Sequence, residues 1–263
     1  MTVNSYLVNL SSALVLRGAE KDSIATSIST LKSRLSAYFG SDLSDQFRFG
    51  SSERETILPR KADEDSDIDY MIVFNTSLGT YKPQTYLDRL RRFVDKYYSS
   101  SEIHQSNPTM VLELNHIKFD LVPAIYQYSQ YQIPSPASSW SDWMYTDPGG
   151  FSQKLTNANK LYASQIKPLV RLVKYWNSLT GHHFASFDLE NYIVGRSYWG
   201  NTLLKEFFYT FWESFSCSHD TSQYIKDKVQ RAKDRVALIR KNERDGYEVT
   251  AENELQKFLP KID

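Results

Sequence analysis

Two carboxylates spaced two apart, Asp67-Ile68-Asp69, lead directly into the apolar run Tyr70-Met71-Ile72-Val73-Phe74. A run of this length behind a charged segment predicts a buried strand over residues 67–74. In a strand, residues i and i+2 share a face, so Asp67 and Asp69 project together while Ile68 turns the other way, toward a core. Two carboxylates on one face repel each other unless a cation lies between them or water surrounds both.

Asp120 offers a third carboxylate. It interrupts the apolar stretch Lys118-Phe119-Asp120-Leu121-Val122, where a charge needs a partner. If that strand pairs beside Asp67–Phe74, three acids converge. Hard oxygen donors of this kind suit Mg²⁺, with Mn²⁺ as the alternative. Two such ions would activate an attacking hydroxyl and neutralise charge in a phosphoryl displacement. Asp67 and Asp69 would bridge both ions, while Asp120 would hold the one nearest the hydroxyl and help receive its proton. Upstream, Gly50-Ser51 supplies a turn whose backbone can approach a phosphate, plus a hydroxyl donor. Each piece has a plainer reading: Gly-Ser as an ordinary turn, Asp-x-Asp as a solvated edge. Their order along the chain is what carries specificity.

The 263 residues carry 31 basic and 31 acidic side chains, so a protein coated in nucleic acid over a large basic face is disfavoured. The single cysteine, Cys217, excludes an internal disulfide and a cysteine metal cluster, and reads as a packed or surface thiol. The N-terminal apolar stretch lacks a basic leader and a cleavage site, and no run approaches the length of a membrane span, so a cytoplasmic location is expected.

Helical periodicity after Asp22 (Ile24, Ile28, Leu31, Leu35, Phe39), with Gly40 as the stop, predicts a helix. Strands are predicted over residues 46–50, 67–74, 110–114 and 117–122, and a helix over 86–98. Residues 126–150 have no period and read as a linking loop. Beyond them, helices are predicted over 160–179, 187–198, 203–215, 222–244 and 251–259. The expected architecture is α+β: a mixed-sheet catalytic lobe with an N-terminal helix (1–135) and a helical lobe (136–263). Within 225–244, charges of both signs alternate; that stretch is a solvated helix face or a phosphate-tracking surface.

FGSSERET followed by SDIDYMIVF resembles the polymerase-β-like nucleotidyltransferases, within them the cGAS/DncV-like group that includes oligoadenylate synthase and the bacterial CD-NTases. KFDLVPA resembles the strand bearing that group's third metal aspartate. IKPLVRLVKYWN resembles its helix with a triphosphate-contacting lysine, here Lys174. FASFDLENYIV resembles its serine-aromatic segment, in which the serine supports phosphates and the ring stacks on the base, here Ser186 and Phe187. Lys174 as an exposed helix lysine, Ser186 as a helix cap and Phe187 as core remain the alternatives; Glu190 reads as structural. The sequence departs from the group at Arg54-Glu55-Thr56, which replaces a commoner Gly-Thr, and in the extra acids Asp63 and Asp65, read as solvated loop residues.

The resemblance implies a Mg²⁺-dependent enzyme that joins nucleoside triphosphates, or deoxynucleoside triphosphates, into a cyclic or linear oligonucleotide signal. It also implies a downstream effector protein binding the product, in bacterial antiphage defence. No membrane partner and no duplex nucleic-acid activator is expected. The rival readings are nucleotide transfer onto tRNA or a protein hydroxyl, and a catalytically silent nucleotide-binding, antitoxin-like module.

Overall fold

A computed structural model describes residues 2–77, 79–106, 109–135 and 142–262. The chain divides into two compact units. One comprises residues 16–60 and 65–153; the other comprises 1–15, 61–64 and 154–263.

The first unit is a mixed sheet backed by helices. Its strands are β1 (Leu43–Arg48), β2 (Asp67–Phe74), β3 (Glu102–Ser106), β4 (Thr109–Leu114), β5 (Ile117–Gln127), β6 (Gln130–Pro134) and β7 (Trp143–Thr146). The order is β1-β2-β5-β4-β3, with β6 pairing the far end of β5 and β7 pairing β6. All these pairs are antiparallel except β2–β5, which is parallel. Ile68, Tyr70, Ile72 and Phe74 of β2 join Phe119, Leu121 and Ile125 of β5 in one buried cluster. That cluster is closed by Leu31, Leu35 and Phe39 of the helix α2 (Gly18–Phe39) and by Tyr86, Leu90 and Phe93 of the helix α4 (Pro83–Tyr97). The alternate residues face the other side, where Met71, Val73 and Ala124 pack with Phe47, Phe49, Tyr131 and Ile133. A sheet with apolar residues on both faces accounts for the unbroken hydrophobic run of β2.

The second unit is helical: α1 (Val3–Ala13), the larger part of α5 (Pro148–Leu161), then α6 (Ile166–Thr180), α7 (Ser186–Val194), α8 (Leu204–Ser214), α9 (Gln223–Arg244) and α10 (Glu248–Phe258). Helix α6 is buried from Leu169 through Asn177 and forms the centre of the unit, as expected of a helix apolar on most sides. Helix α1 packs against α6, α8 and α10, and the Tyr6 hydroxyl donates to the Leu259 carbonyl at 2.7 Å. Residues 1–15 thus group with the C-terminal helices, whereas the expected division places them in the catalytic lobe. The boundary expected after residue 135 abuts residues 136–141, which lie outside the described residues.

The loop expected over 126–150 is corrected. Strand β5 continues to Gln127, and β6 and β7 follow it. Tyr128 and Ser129 turn the chain between β5 and β6 with positive φ, a conformation with no period to betray it in the sequence. The single helix expected over 160–179 is two helices, because Ala163 and Ser164 take positive φ and break the ladder. Helix α2 begins at Gly18, ahead of Asp22, whose carbonyl accepts from the Thr26 hydroxyl. Among the described residues, no helix is long and apolar enough to cross a membrane.

Candidate active site

Parallel pairing sets the carboxylates in register: Asp69 lies opposite Asp120, and Asp67 lies opposite Lys118. Their flanking residues Ile68, Tyr70, Phe119 and Leu121 belong to the helix-side core, so Asp67, Asp69, Lys118 and Asp120 share the other face. The three acids that the sequence nominates therefore meet on one patch of two adjacent strands.

All three are partly buried, and the titration of Asp120 is clearly displaced. Burial pushes its carboxyl up to about 6, and the charge of Asp67 adds to the rise; Lys118, His104 and the Thr109 hydroxyl offset part of it. Its Oδ1 is buried without a hydrogen-bond partner. A buried carboxylate oxygen with nothing to accept from, beside two further carboxylates, is a donor set that fits a divalent cation.

The turn that brings Gly50 to this patch is held by backbone bonds. Phe49 N–H donates to the Asp69 carbonyl at 3.0 Å, and the Ser51 carbonyl accepts from Thr56 and Ile57 at 2.9 and 3.1 Å. Gly50 has φ of 67°, and a Cβ built on it would lie 1.8 Å from Asp69 Oδ2. Glycine is thus required twice, by the backbone angle and by the approach of the carboxylate. Gly50 starts a single helical turn, α3 (Gly50–Glu53), and the Ser51 hydroxyl has no hydrogen-bond partner among the described residues. Glu55 has φ of 61°, so the departure from Gly-Thr keeps the left-handed backbone immediately before Thr56 without the glycine. Sequence reading misses Arg54, which is buried with its guanidinium 5.1 Å above the Phe151 ring and braces the turn. An arginine in a charge-rich loop gives no sign of it.

In the helical unit, Lys174 is not an exposed lysine. It is 5% exposed, with Nζ 3.6 Å from Glu190 Oε1, and Glu190 is fully buried. Glu190 thus serves as the counter-charge of Lys174, a role the sequence could not show because the two lie on different helices. Ser186 is the first residue of α7, whose cap position is Ala185, so the capping alternative fails. Phe187 is 50% exposed, which removes its core alternative. Asp63 is not a solvated loop acid: its Oδ1 lies 3.3 Å from His182 Nε2. Asp65 is exposed.

A mixed sheet carrying paired acids beside a glycine turn, together with a helical unit, is the arrangement of a nucleotidyltransferase. Residues 1–159 match the family model of the Second Messenger Oligonucleotide or Dinucleotide Synthetase domain, SMODS, and the chain belongs to that family. It is 28% identical over 224 residues to a probable cyclic nucleotide synthase of Bacillus cereus (strain VD146), a match covering 69% of this chain and 65% of that protein. The chain thus spans just under two thirds of the length of that relative. Its fold is similar to Vibrio cholerae DncV cyclic AMP-GMP synthase, solved with a linear intermediate (TM-score 0.79, 10% identity, 99% of this chain and 96% of that one). It is also similar to Escherichia coli MS115-1 CdnC solved with ATP (TM-score 0.71, 15% identity, 98% and 97%).

Proposed function

We propose that this protein is a divalent-metal-dependent nucleotidyltransferase that joins nucleotides from NTPs or dNTPs, with release of pyrophosphate, into an oligonucleotide signal. The observation that carries the reading is the register of Asp69 against Asp120, with Asp67 on the same face and Asp120 Oδ1 unpartnered. Membership of a family of second-messenger synthetases supports the same conclusion.

In the reaction, a sugar hydroxyl oxygen bonds to the α-phosphorus of a bound NTP. The bond from that phosphorus to the bridging oxygen breaks, and pyrophosphate leaves. Asp67, Asp69 and Asp120 would hold Mg²⁺, which when bound supplies positive charge to the phosphates and acidifies the attacking hydroxyl. Asp120, beside the other two acids, is assigned to help receive the proton of the attacking hydroxyl. Gly50 lets the Asp69 carboxylate lie against the turn, and Ser51 offers a hydroxyl donor to a phosphate oxygen. Lys174 is assigned to the triphosphate, Ser186 to phosphate support and Phe187 to base stacking, following the resemblance of their segments to the family's motifs. By the same analogy, the product acts in antiphage signalling through an effector protein, inside the cytoplasm. Escherichia coli CdnC has been solved in complex with HORMA-deltaN. One relative thus has a protein partner, and a partner of this chain is part of the proposal.

Purified protein incubated with labelled NTPs or dNTPs and Mg²⁺, without acceptor, should yield phosphatase-resistant oligonucleotides identifiable by mass spectrometry. Asp67→Asn and Asp69→Asn should each abolish that product while leaving the fold intact. Label appearing only on added tRNA or protein, or wild-type turnover in either variant, would overturn the assignment.

A further inference from the structure

The charged stretch of α9 is mixed in sequence but sorted in space. Asp227 and Asp234 accept side-chain hydrogen bonds from Gln223 and Gln230, one turn back, at 2.7 Å each. Lys228, Arg231 and Arg235 follow at i, i+3 and i+7, on one face of the helix. With Lys257 of α10 they line a cavity of about 450 Å³ in the helical unit, walled by Trp176 and Phe258. No aspartate or glutamate among the described residues lines it. The acid beside it, Glu254, is paired with both Arg235 and Lys257. Lys228 Nζ donates to the Thr180 carbonyl at 2.8 Å, which leaves it further N–H groups. Arg231 makes no hydrogen bond or ion pair among the described residues.

Four cations around one hollow, two of them sharing Glu254, repel one another unless water screens them or an anion joins them. Guanidinium and ammonium groups match phosphate oxygens in geometry and charge. A cavity of this volume holds a ligand of nucleotide size, and the Phe258 ring supplies an apolar wall. We propose that this cavity binds a nucleotide-sized, phosphate-bearing ligand, with Arg231 as the leading phosphate contact. None of its residues belongs to the carboxylate cluster, so loss of this site and loss of turnover are separable.

Calorimetric titration in EDTA tests the site, because no divalent ion is then present to bridge phosphates to Asp67, Asp69 and Asp120. The probes are pyrophosphate, ADP and the 5′-phosphorylated dinucleotide pApA. Binding should occur at one equivalent per chain, weaken as salt is raised, and fall at least tenfold in Arg231→Glu and less in Arg231→Gln. Equal affinity for pyrophosphate and ADP would assign recognition to the phosphates alone. Tighter ADP binding would assign it to a free nucleotide, and tightest pApA binding to an oligonucleotide. Arg231 is exposed, so both variants should keep the wild-type melting temperature, and Asp69→Asn should bind as wild type does. Undiminished binding in a folded Arg231→Glu, or no heat from any probe, would overturn the proposal.

Discussion

Asp120, assigned by the proposal to the metal site, shows how such a carboxyl is a liability to the free protein. Its folded pKa, near 6, lies above the usual carboxylate value, so the native state holds its proton longer than the unfolded chain does. The contribution of this group to stability is therefore undiminished below about pH 4 and is lost as pH rises through about 6. In chelator above that range, Asp120→Asn should be more stable than wild type by about 2 kcal/mol, with the difference vanishing near pH 4. Denaturant melts at several pH values measure this, and a pH-independent difference would refute it. Gly50→Ala brings a methyl group against Asp69 Oδ2 and places alanine at positive φ. It should cost about 1–2 kcal/mol in backbone strain and, by displacing the carboxylate, about 100-fold in turnover. Steady-state rates beside chemical denaturation separate the two effects.

Between elements, a buried ion pair crosses the α6–α7 contact. Glu190→Gln should destabilise the fold by about 3 kcal/mol, because it removes the carboxylate facing the buried Lys174 ammonium. The double variant Lys174→Met/Glu190→Leu should recover most of that loss in urea melts while its apparent KM for NTP rises, if Lys174 contacts the triphosphate. Strand β2 is legible to the residue, since its hydrophobic run and flanking acids both mark its bounds. Strand β3 is not: Glu102–Ser106 has one apolar residue, Ile103, and is a strand only because β4 pairs with it. Helix α1 has buried residues at helical spacing, yet a short apolar N-terminus invites comparison with a leader before its period is weighed. In the site, the acids announce themselves by position in strands, whereas Arg54 and Glu190 act through partners distant in sequence that only the fold supplies.

For the whole chain, the two units are assembled from discontinuous segments, and the helical one draws on both ends. Deleting residues 2–15 should raise hydrogen exchange across α6, α8 and α10 while β2 and β5 stay protected; uniform loss of protection would argue against separate units. The pairing of Tyr6 with Leu259 also has a bearing on synthesis. During synthesis α1 is made before the surface it docks on, which is not finished until α10 has been translated. The sheet, complete by residue 153, can fold in the interval, while α1 waits with its apolar face uncovered and open to chaperones.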